Sequence, residues 1–353
     1  MAISIYELIN ARAVAAYWET LRSNQIPYLG ESLFPAERMS GLKLDWIVGY
    51  NKLPVALMPA AFDARPVVRD RGQVETRSTR MPFFREAMRL GEEDRQQLLT
   101  LLASGSQFIK PIIDRLFDDV SSLIDSAVLN PEIMRFSVLQ TGTITMQSPN
   151  ESGINVNYNY NFDKTGAWAA NNIITLVGTE QWGEDDANPV RDILGIKRLA
   201  ASKGITITRA IIGPELWAEL LLTPSIVKEV FPTGATALSD SDLQAYLARK
   251  TGIAFVQYEK QYQSFDGIEV PFVMSDRVTF LPSSAVGSTY FGTTPEEADL
   301  MTGAAPAEVR VVGGGIAVLS MLEAIPVNVI TSVSEIVLPS FEGMNSVFIL
   351  KAK

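Results

Sequence analysis

The hydrophobic pattern divides the chain into segments of helical and of strand periodicity. Between residues 106 and 129, apolar side chains recur every three or four positions, while aspartates and serines occupy the opposite face. This spacing predicts one amphipathic helix of about 36 Å. Asn130-Pro131 is expected to cap or kink it, with a further helical run up to Gly142. A weaker pattern of the same period predicts another helix over residues 5–22.

Strict alternation of apolar and polar side chains predicts a sheet that covers the long helix. Every second residue from Ile154 to Phe162 is apolar, and the residues between them are asparagines. Together with a strand at 143–147 and a turn at 148–153, this segment predicts a half-buried β-hairpin along the helix. Another alternating run starts at Leu42. Three closing strands are predicted at residues 315–323, 327–338 and 346–350.

Residues 190–310 predict a more compact α/β unit. Helices are predicted at 189–202, 214–222 and 239–250. Strands are predicted between them, at 206–212, 254–262 and 270–281. Ser239 has the position of an N-cap, with Asp242 at the third helical position. With the long helix and its hairpin, these elements predict an α+β protein.

The segment from Asp63 to Arg89 differs in charge from the rest of the chain. It contains seven arginines and four acidic residues, so its net charge is +3, and the remainder of this chain of net charge −10 carries −13. Large apolar residues are few between Val68 and Met81, too few for a core. Two interpretations stay open: a solvated charged loop, or a basic ribbon that orders when it contacts an acidic surface on a neighbouring subunit.

The composition removes the commonest catalytic groups. The 353 residues include no histidine and no cysteine, so imidazole bases, thiolate nucleophiles, disulfides and the usual zinc sites are excluded. This length suggests about two domains. The net charge of −10 argues against sequence-specific binding of nucleic acid. No targeting signal and no apolar run of about 20 residues is found, so we expect no membrane association.

Two motifs suggest chemistry but have a simpler structural explanation. Glu184-Asp185-Asp186 offers clustered carboxylates to a hard cation, yet it lies just before a predicted helix, where acids complement the helix dipole. Gly313-Gly314-Gly315 follows a strand but lacks the Lys-Ser/Thr and the helix of a phosphate-binding loop, so a turn is predicted. We assign no catalytic, cofactor-binding or metal-binding residue, expect no cofactor, and predict a protein that is not an enzyme.

Several short motifs follow one another in a characteristic order. The most specific are Leu53-Pro-Val-Ala-Leu-Met-Pro59 and the arginine-rich stretch with Glu75-Thr-Arg77 and Pro82-Phe-Phe84. The others are Asn188-Pro-Val-Arg-Asp192, Tyr290-Phe-Gly-Thr-Thr-Pro-Glu296, Ile325-Pro-Val327 and Leu338-Pro-Ser-Phe341. In this order, and over nearly the full chain, they resemble the lambda-type major capsid proteins of tailed phages, the capsid protein E family.

The resemblance implies the tailed-phage major capsid fold, which herpesvirus capsid floors and encapsulins share. It implies an N-terminal arm (1–41), an extended β-ribbon loop (42–92), a peripheral domain with a spine helix on a β-sheet (93–188 and 316–353), and an α/β axial domain (189–315). The extended loop is expected to lie over an adjacent subunit. The arginines that we expect to make inter-subunit contacts are Arg65, Arg69, Arg71, Arg77, Arg80 and Arg85.

The function implied is that of a major capsid protein. Its hexamers and pentamers are expected to form an icosahedral shell around double-stranded DNA in the virion, assembled in the host cytoplasm. The expected partners are further copies of itself, a separate scaffolding protein, a portal and a decoration protein, with non-specific proximity to packaged DNA. Two alternatives stay open: the shell protein of an encapsulin-like bacterial compartment, and a carboxylate- or metal-dependent enzyme.

Overall fold

The computed structural model describes residues 10–22, 28–48, 75–93, 96–97, 99–100, 109–146, 155–160, 167–184, 186–231, 237–264, 266–303, 308–324 and 327–353. The chain divides into two compact units, each of which is formed by three segments. Unit 1 comprises Met1–Leu44, Ser78–Arg135 and Ser288–Ser340. Unit 2 comprises Asp45–Arg77, Phe136–Gly287 and Phe341–Lys353.

Nine helices have both ends within the described residues. They are α1 Ala11–Arg22, α2 Leu29–Leu33, α3 Ile109–Thr141, α4 Ala167–Asn172, α5 Pro189–Ser202, α6 Pro214–Leu222, α7 Pro224–Val230, α8 Asp240–Thr251 and α9 Pro295–Thr302. Residues 92–93, 96–97 and 99–100 are also helical, and two short 3-10 helices occupy Gly178–Glu180 and Met344–Ser346.

The strands of the first half of the chain are β1 Ala36–Arg38, β2 Lys43–Val48, β3 Glu75–Arg80, β4 Phe83–Leu90, β5 Thr143–Met146, β6 Val156–Asn159, β7 Ile173–Thr175 and β8 Arg209–Ile212. The strands of the second half are β9 Ala254–Gln257, β10 Gln261–Gln263, β11 Glu269–Pro271, β12 Arg277–Leu281, β13 Thr289–Phe291, β14 Glu308–Val312, β15 Ile316–Ala324, β16 Val327–Pro339 and β17 Phe348–Lys351.

Unit 1 is built on a sheet with the order β1-β13-β16-β15-β14. Strand β4 also pairs with β16, on the side opposite β15. The apolar stripe of α3 covers this sheet, because Val120 and Ile124 pack with Val318 and Val333 in one buried cluster. Helix α1 contributes Trp18 and its neighbours to the same cluster. A sheet thus satisfies the amphipathic pattern of the long helix. The strands that pack on it are β15 and β16, whereas the sequence had assigned this role to the hairpin of residues 143–162.

Unit 2 contains a five-stranded sheet with the order β7-β17-β12-β8-β9. Its central strand β12 is antiparallel to β17 and β8, whereas β8 pairs with β9 and β17 with β7 in parallel. Buried side chains of α5, α6 and α8, among them Ile193, Trp217 and Leu247, pack against buried strand residues such as Phe280 and Leu350. Helices and strands alternate here as predicted for an α/β unit, but residues 288–310 of the predicted unit belong to unit 1.

Helix boundaries agree closely where capping signals exist. Helices α5 and α6 have the predicted bounds, and both begin with a proline at the first turn. The hydroxyl of Ser239 accepts a hydrogen bond from the Asp242 backbone N–H at the start of α8, which confirms the predicted N-cap. A side-chain cap fixes a helix end locally, so the sequence suffices to locate it.

Helix α3 does not end at Asn130-Pro131, so of the two predicted outcomes the cap is wrong, and the predicted further helical run up to Gly142 is confirmed. The helix continues through Pro131 to Thr141 as a single element of 33 residues, about 50 Å long. A proline inside a helix removes one backbone donor and crowds the preceding turn. Burial of Ile124, Ala127 and Met134 on both sides of Pro131 offsets this cost, because the helix is held by its packing.

Short elements and divided strands are the other differences. The short elements α2 and β1 lie between the predicted helix at 5–22 and the alternating run from Leu42, where neither a helix nor a strand was predicted from the sequence. The predicted strand at 254–262 is divided into β9 and β10, and that at 270–281 into β11 and β12. Strands β10 and β11 form a separate two-stranded sheet. Alternation cannot show where a strand leaves one sheet for another, because the side-chain period is the same in both.

The hairpins were predicted well. Strands β5 and β6 pair antiparallel, with Thr143 opposite Asn159, while the predicted turn at 148–153 lies outside the described residues. Gly313 and Gly314 have positive φ angles of 55° and 86° in the turn between β14 and β15, a backbone conformation that favours glycine. The predicted turn at the three glycines is therefore confirmed. The division into arm, loop, peripheral and axial domains stays a prediction.

Candidate assembly interface

The basic segment is only partly within the described residues. Arg65, Arg69 and Arg71 lie outside them. Arg77 and Arg80 are on β3, and Arg85 is on β4. The end of the segment is therefore folded into unit 1 within a single chain, which differs from the expectation that the whole segment orders only on docking.

Strand β4 is held over its full length. Its eight residues pair antiparallel with β16, from Phe83 opposite Ile336 to Leu90 opposite Val329. In the part of the chain that the structure describes, β4 pairs with no strand other than β16, so it is an edge strand. Its side chains are mostly exposed, and Phe83 is 43% exposed. An edge strand with charged side chains resists unwanted pairing, while its position is fixed by the ladder.

A buried carboxylate strengthens this attachment. Arg85 forms an ion pair with Glu296 at the start of α9. The other oxygen of Glu296 accepts a hydrogen bond of 2.8 Å from the Ser334 hydroxyl. Arg85 and Ser334 are directly opposite each other in the β4–β16 ladder, so one carboxylate bridges both strands. Arg85, expected to contact a neighbouring subunit, has a carboxylate partner in its own chain.

A second ion pair lies next to the first on α9. Glu297 pairs with Arg38, whose guanidinium also donates to the Gly314 carbonyl over 3.2 Å. Both glutamates are in the first turn of α9, where the positive end of the helix dipole stabilises negative charge. The hydroxyl of Thr294 caps the helix by accepting from the Glu297 N–H over 3.3 Å. Through Glu296 and Glu297, α9 joins the strand β4, the strand β1 and the glycine turn.

The most deeply buried ion pair of unit 1 lies on α3. Arg135 donates to Glu132 over 3.2 Å and to the Thr289 hydroxyl over 2.8 Å, and both charged side chains are buried. Glu132 also accepts a hydrogen bond of 3.0 Å from the Gly30 N–H at α2. A Cβ at position 30 would lie 2.8 Å from the Arg135 Cδ, so only glycine permits this close approach. Burial lowers the pKa of Arg135, and the charge of Glu132 counteracts this effect.

A fourth buried acid, Glu335 on β16, has no ion-pair partner among the described residues. One of its oxygens accepts a hydrogen bond of 3.0 Å from the Asn130 amide, and the other has no hydrogen-bond partner. The side chain is 1% exposed. Burial raises the pKa of Glu335 to about 8, although the Asn130 hydrogen bond and the charge of Arg135 oppose the shift. At neutral pH the carboxyl of the single chain is therefore mostly uncharged.

The Glu335 side chain borders a cavity of about 160 Å³. Strand β4 contributes Phe84 and Glu86 to its lining, and α3 contributes Leu123 and Ala127. Glu335 is the one charged residue in the 13 residues of β16. That isolated charge in an apolar strand was a signal in the sequence, and our sequence analysis missed it.

Replacing Glu335 by glutamine is expected to stabilise the unassembled subunit at neutral pH. The folded pKa of about 8 lies above the ordinary value of 4.5, so the folded state holds the proton more tightly and stability falls as the pH rises between these values. Glu335→Gln removes this loss, which amounts to about 3 kcal/mol at pH 7. Urea unfolding of both proteins at pH 4 and pH 7 measures it. The difference between variant and wild type should be smallest at pH 4; a difference independent of pH would contradict the protonation of Glu335.

The described residues offer no metal centre. Among them, no group of three or more acidic, histidine or cysteine side chains is placed to hold an ion. Nor does the described part include a helix that is long and apolar enough to cross a membrane. The arrangement that the described residues do present is a set of ion pairs with buried carboxylates, one of which joins β4 to α9.

Comparison with known proteins identifies the family of the chain. A family model described as phage major capsid protein E matches residues 10–312, far more than half of the 353 residues. The chain belongs to the phage major capsid protein E family. This capsid protein therefore forms the shell of a phage head, and its place is the virion capsid. No curated protein matches the chain.

Solved structures resemble this capsid protein in fold at low sequence identity. The putative capsid protein of a prophage of E. coli CFT073 is 13% identical with a TM-score of 0.59, over 98% of this chain and 99% of that one. A phage-related protein from Bordetella bronchiseptica RB50 is 14% identical with a TM-score of 0.57, over 96% of each chain. The capsid of cyanophage A-1(L) is 12% identical with a TM-score of 0.50, over 92% of each. The predicted tailed-phage capsid fold is confirmed.

Proposed function

We propose that this capsid protein assembles as hexamers and pentamers into an icosahedral shell around double-stranded DNA. It acts as a structural tile, and it is not an enzyme. Its other partners are a separate scaffolding protein, a portal and a decoration protein, and its contact with packaged DNA is non-specific. A chain of net charge −10 suits a wall that encloses DNA without binding it tightly.

One observation supports an assembly role for the extended loop. The strand at its end, β4, pairs along its full length with β16 and is bridged by Glu296. This supports a loop whose base is fixed in its own subunit before assembly. A fixed base lowers the entropy lost when the loop meets a neighbouring subunit.

The acidic side of α3 is the surface that we propose for the incoming loop. Asp118, Asp119 and Asp125 are exposed on this helix. Two of them also hold α1, since the Tyr17 hydroxyl donates to Asp118 over 2.6 Å and the Trp18 indole donates to Asp125 over 2.7 Å. The basic segment from Asp63 to Arg89, of net charge +3, complements this surface. Arg65, Arg69, Arg71, Arg77 and Arg80 remain the proposed inter-subunit contacts.

The purified full chain is expected to form capsomers, tubes or shells, alone or with its scaffolding protein. An obligate tile buries well above the roughly 1,600 Å² of a standard interface, divided over several neighbours. Sedimentation velocity and electron microscopy measure the size and symmetry of the particles. A monodisperse monomer at high concentration, even when the scaffolding protein is present, would contradict the proposal.

A further inference from the structure

The cavity beside Glu335 has the properties of an unfilled cation site. Its buried carboxyl leaves one oxygen without a hydrogen-bond partner, and a buried polar atom in that state destabilises the folded chain. The adjoining volume of about 160 Å³ resembles an engineered cavity of about 150 Å³ that binds benzene. The planar end of an arginine side chain is no larger than such a ligand.

The cations on the surrounding elements already have partners. Arg85 borders the cavity, but its guanidinium pairs with Glu296. Arg135 on α3 pairs with Glu132. Glu86, which is exposed on β4, adds a second acid to the cavity lining. The Glu86 carboxylate at the cavity therefore attracts a further cation, whereas the uncharged Glu335 carboxyl can pair with that cation only by losing its proton.

The outer surface of α3 leads to this cavity. Asp119, Ser122, Ser126 and Asn130 follow at intervals of three, four and four residues, so they form one polar stripe along the helix. Ser126 and Asn130 line the cavity. The stripe continues the acidic side of α3 that the proposed function assigns to the incoming loop.

We propose that this cavity receives one arginine of the extended loop of a second copy of the chain, with the guanidinium donating to the free oxygen of Glu335. The inference rests on the proposed function, because it needs a neighbouring subunit. Charge complementarity supports this occupant: residues 63–80 contain five arginines and three acids. The three arginines outside the described residues, Arg65, Arg69 and Arg71, are the candidates.

Docking would change the protonation of Glu335. In the unassembled subunit burial keeps the carboxyl uncharged at neutral pH, because its pKa is about 8. A guanidinium at hydrogen-bond distance favours the carboxylate, so the carboxyl proton passes to solvent as the arginine binds. Glutamine at this position would suit the free subunit but would lack the charge that holds the arginine.

The first test compares Glu335→Gln with wild type in two states. The variant should unfold at higher urea concentration than wild type as a subunit at pH 7. Its shells should be weaker, with a free-subunit concentration at equilibrium about tenfold higher. Glu323→Gln is the matched control, since Glu323 faces Arg89 of its own chain at 3.9 Å on the same sheet. It should change the stability of the subunit and the stability of the shell by the same amount. Equal stabilisation of shell and subunit by Glu335→Gln would overturn the inference.

The second test is a double-mutant cycle between Glu335→Gln and each of Arg65→Gln, Arg69→Gln and Arg71→Gln. One of the three pairs should be non-additive in shells and additive in the unassembled subunit. Coupling in the unassembled subunit would assign the cavity to the chain's own loop and overturn the inference. If the variants form shells like those of the wild type and the effects of all three pairs of substitutions are additive there, the inference is also overturned. The proposed function then stays intact. A wild-type chain that forms no shells would contradict the proposed function itself.

Discussion

Replacing Arg69, Arg71, Arg77 and Arg80 with glutamate is expected to abolish shell formation while the subunit stays folded. The substitutions change the net charge of residues 63–89 from +3 to −5. Each exposed ion pair contributes only about 0 to 1 kcal/mol, but the contact is repeated in every subunit of a ring. Reversal also places like charges against the acidic side of α3. Circular dichroism measures the fold, and counting particles by electron microscopy measures assembly.

Two controls separate this effect from unfolding. Replacing the same four arginines with glutamine removes their charge without reversing it, so assembly should be weakened less and should respond less to salt. Arg85→Gln should instead lower the stability of the subunit, since the Arg85 guanidinium pairs with the buried Glu296 carboxylate of its own chain. Normal shells from the fourfold glutamate variant would show that these arginines are solvated charge with no role in assembly.

Arg135→Met is expected to destabilise the subunit more than any surface substitution. The change leaves the buried Glu132 carboxylate without the guanidinium that lies 3.2 Å away. Breaking a buried ion pair by removing one partner costs about 3 to 5 kcal/mol, a large part of the roughly 5 to 15 kcal/mol that stabilises a typical protein. The free energy of unfolding in urea measures this loss.

The matched control is Arg191→Met. The Arg191 side chain is 56% exposed and forms a 3.5 Å pair with an equally exposed Glu180, so its loss should cost less than about 1 kcal/mol. Adding Glu132→Gln to Arg135→Met should recover part of the stability, because the uncompensated charge is then removed. If Arg135→Met and Arg191→Met have the same small effect, the buried pair does not hold α2, α3 and β13 together as proposed.

The elements of this capsid protein were predictable where their signals are local. The ends of α5, α6 and α8 follow from a proline or a capping side chain within the first turn. The glycine turn between β14 and β15 likewise follows from three adjacent residues. For α3 the sequence predicted a further helical run beyond Pro131 but left a cap or a kink open there, because propensity favours an end at this position and tertiary packing overrides it.

Only one half of the candidate site, the arginine-rich segment, was predicted from the sequence. The arginine-rich segment is evident in the sequence, because seven arginines within one acidic chain form a composition signal. Most of the buried acids that form the site gave no such signal. Glu296 and Glu297 resembled ordinary first-turn acids of a helix, and Gly30 and Glu132 had no visible connection. Only Glu335, a single charge in an apolar strand, marked an unusual position that sequence reasoning could have found.

By itself, the sequence determined the α+β class, the long amphipathic helix, the alternating strands and the basic segment. These depend on periodicity and composition, which act between neighbours along the chain. The tertiary structure alone decided which charges are neutralised. The hydrogen-bonded residues are far apart in the sequence. Arg85 and Glu296 are separated by 211 positions, Gly30 and Glu132 by 102, and Asn130 and Glu335 by 205. A buried charge is stabilised by whatever group the fold places within about 4 Å of it, and no local pattern records that distance.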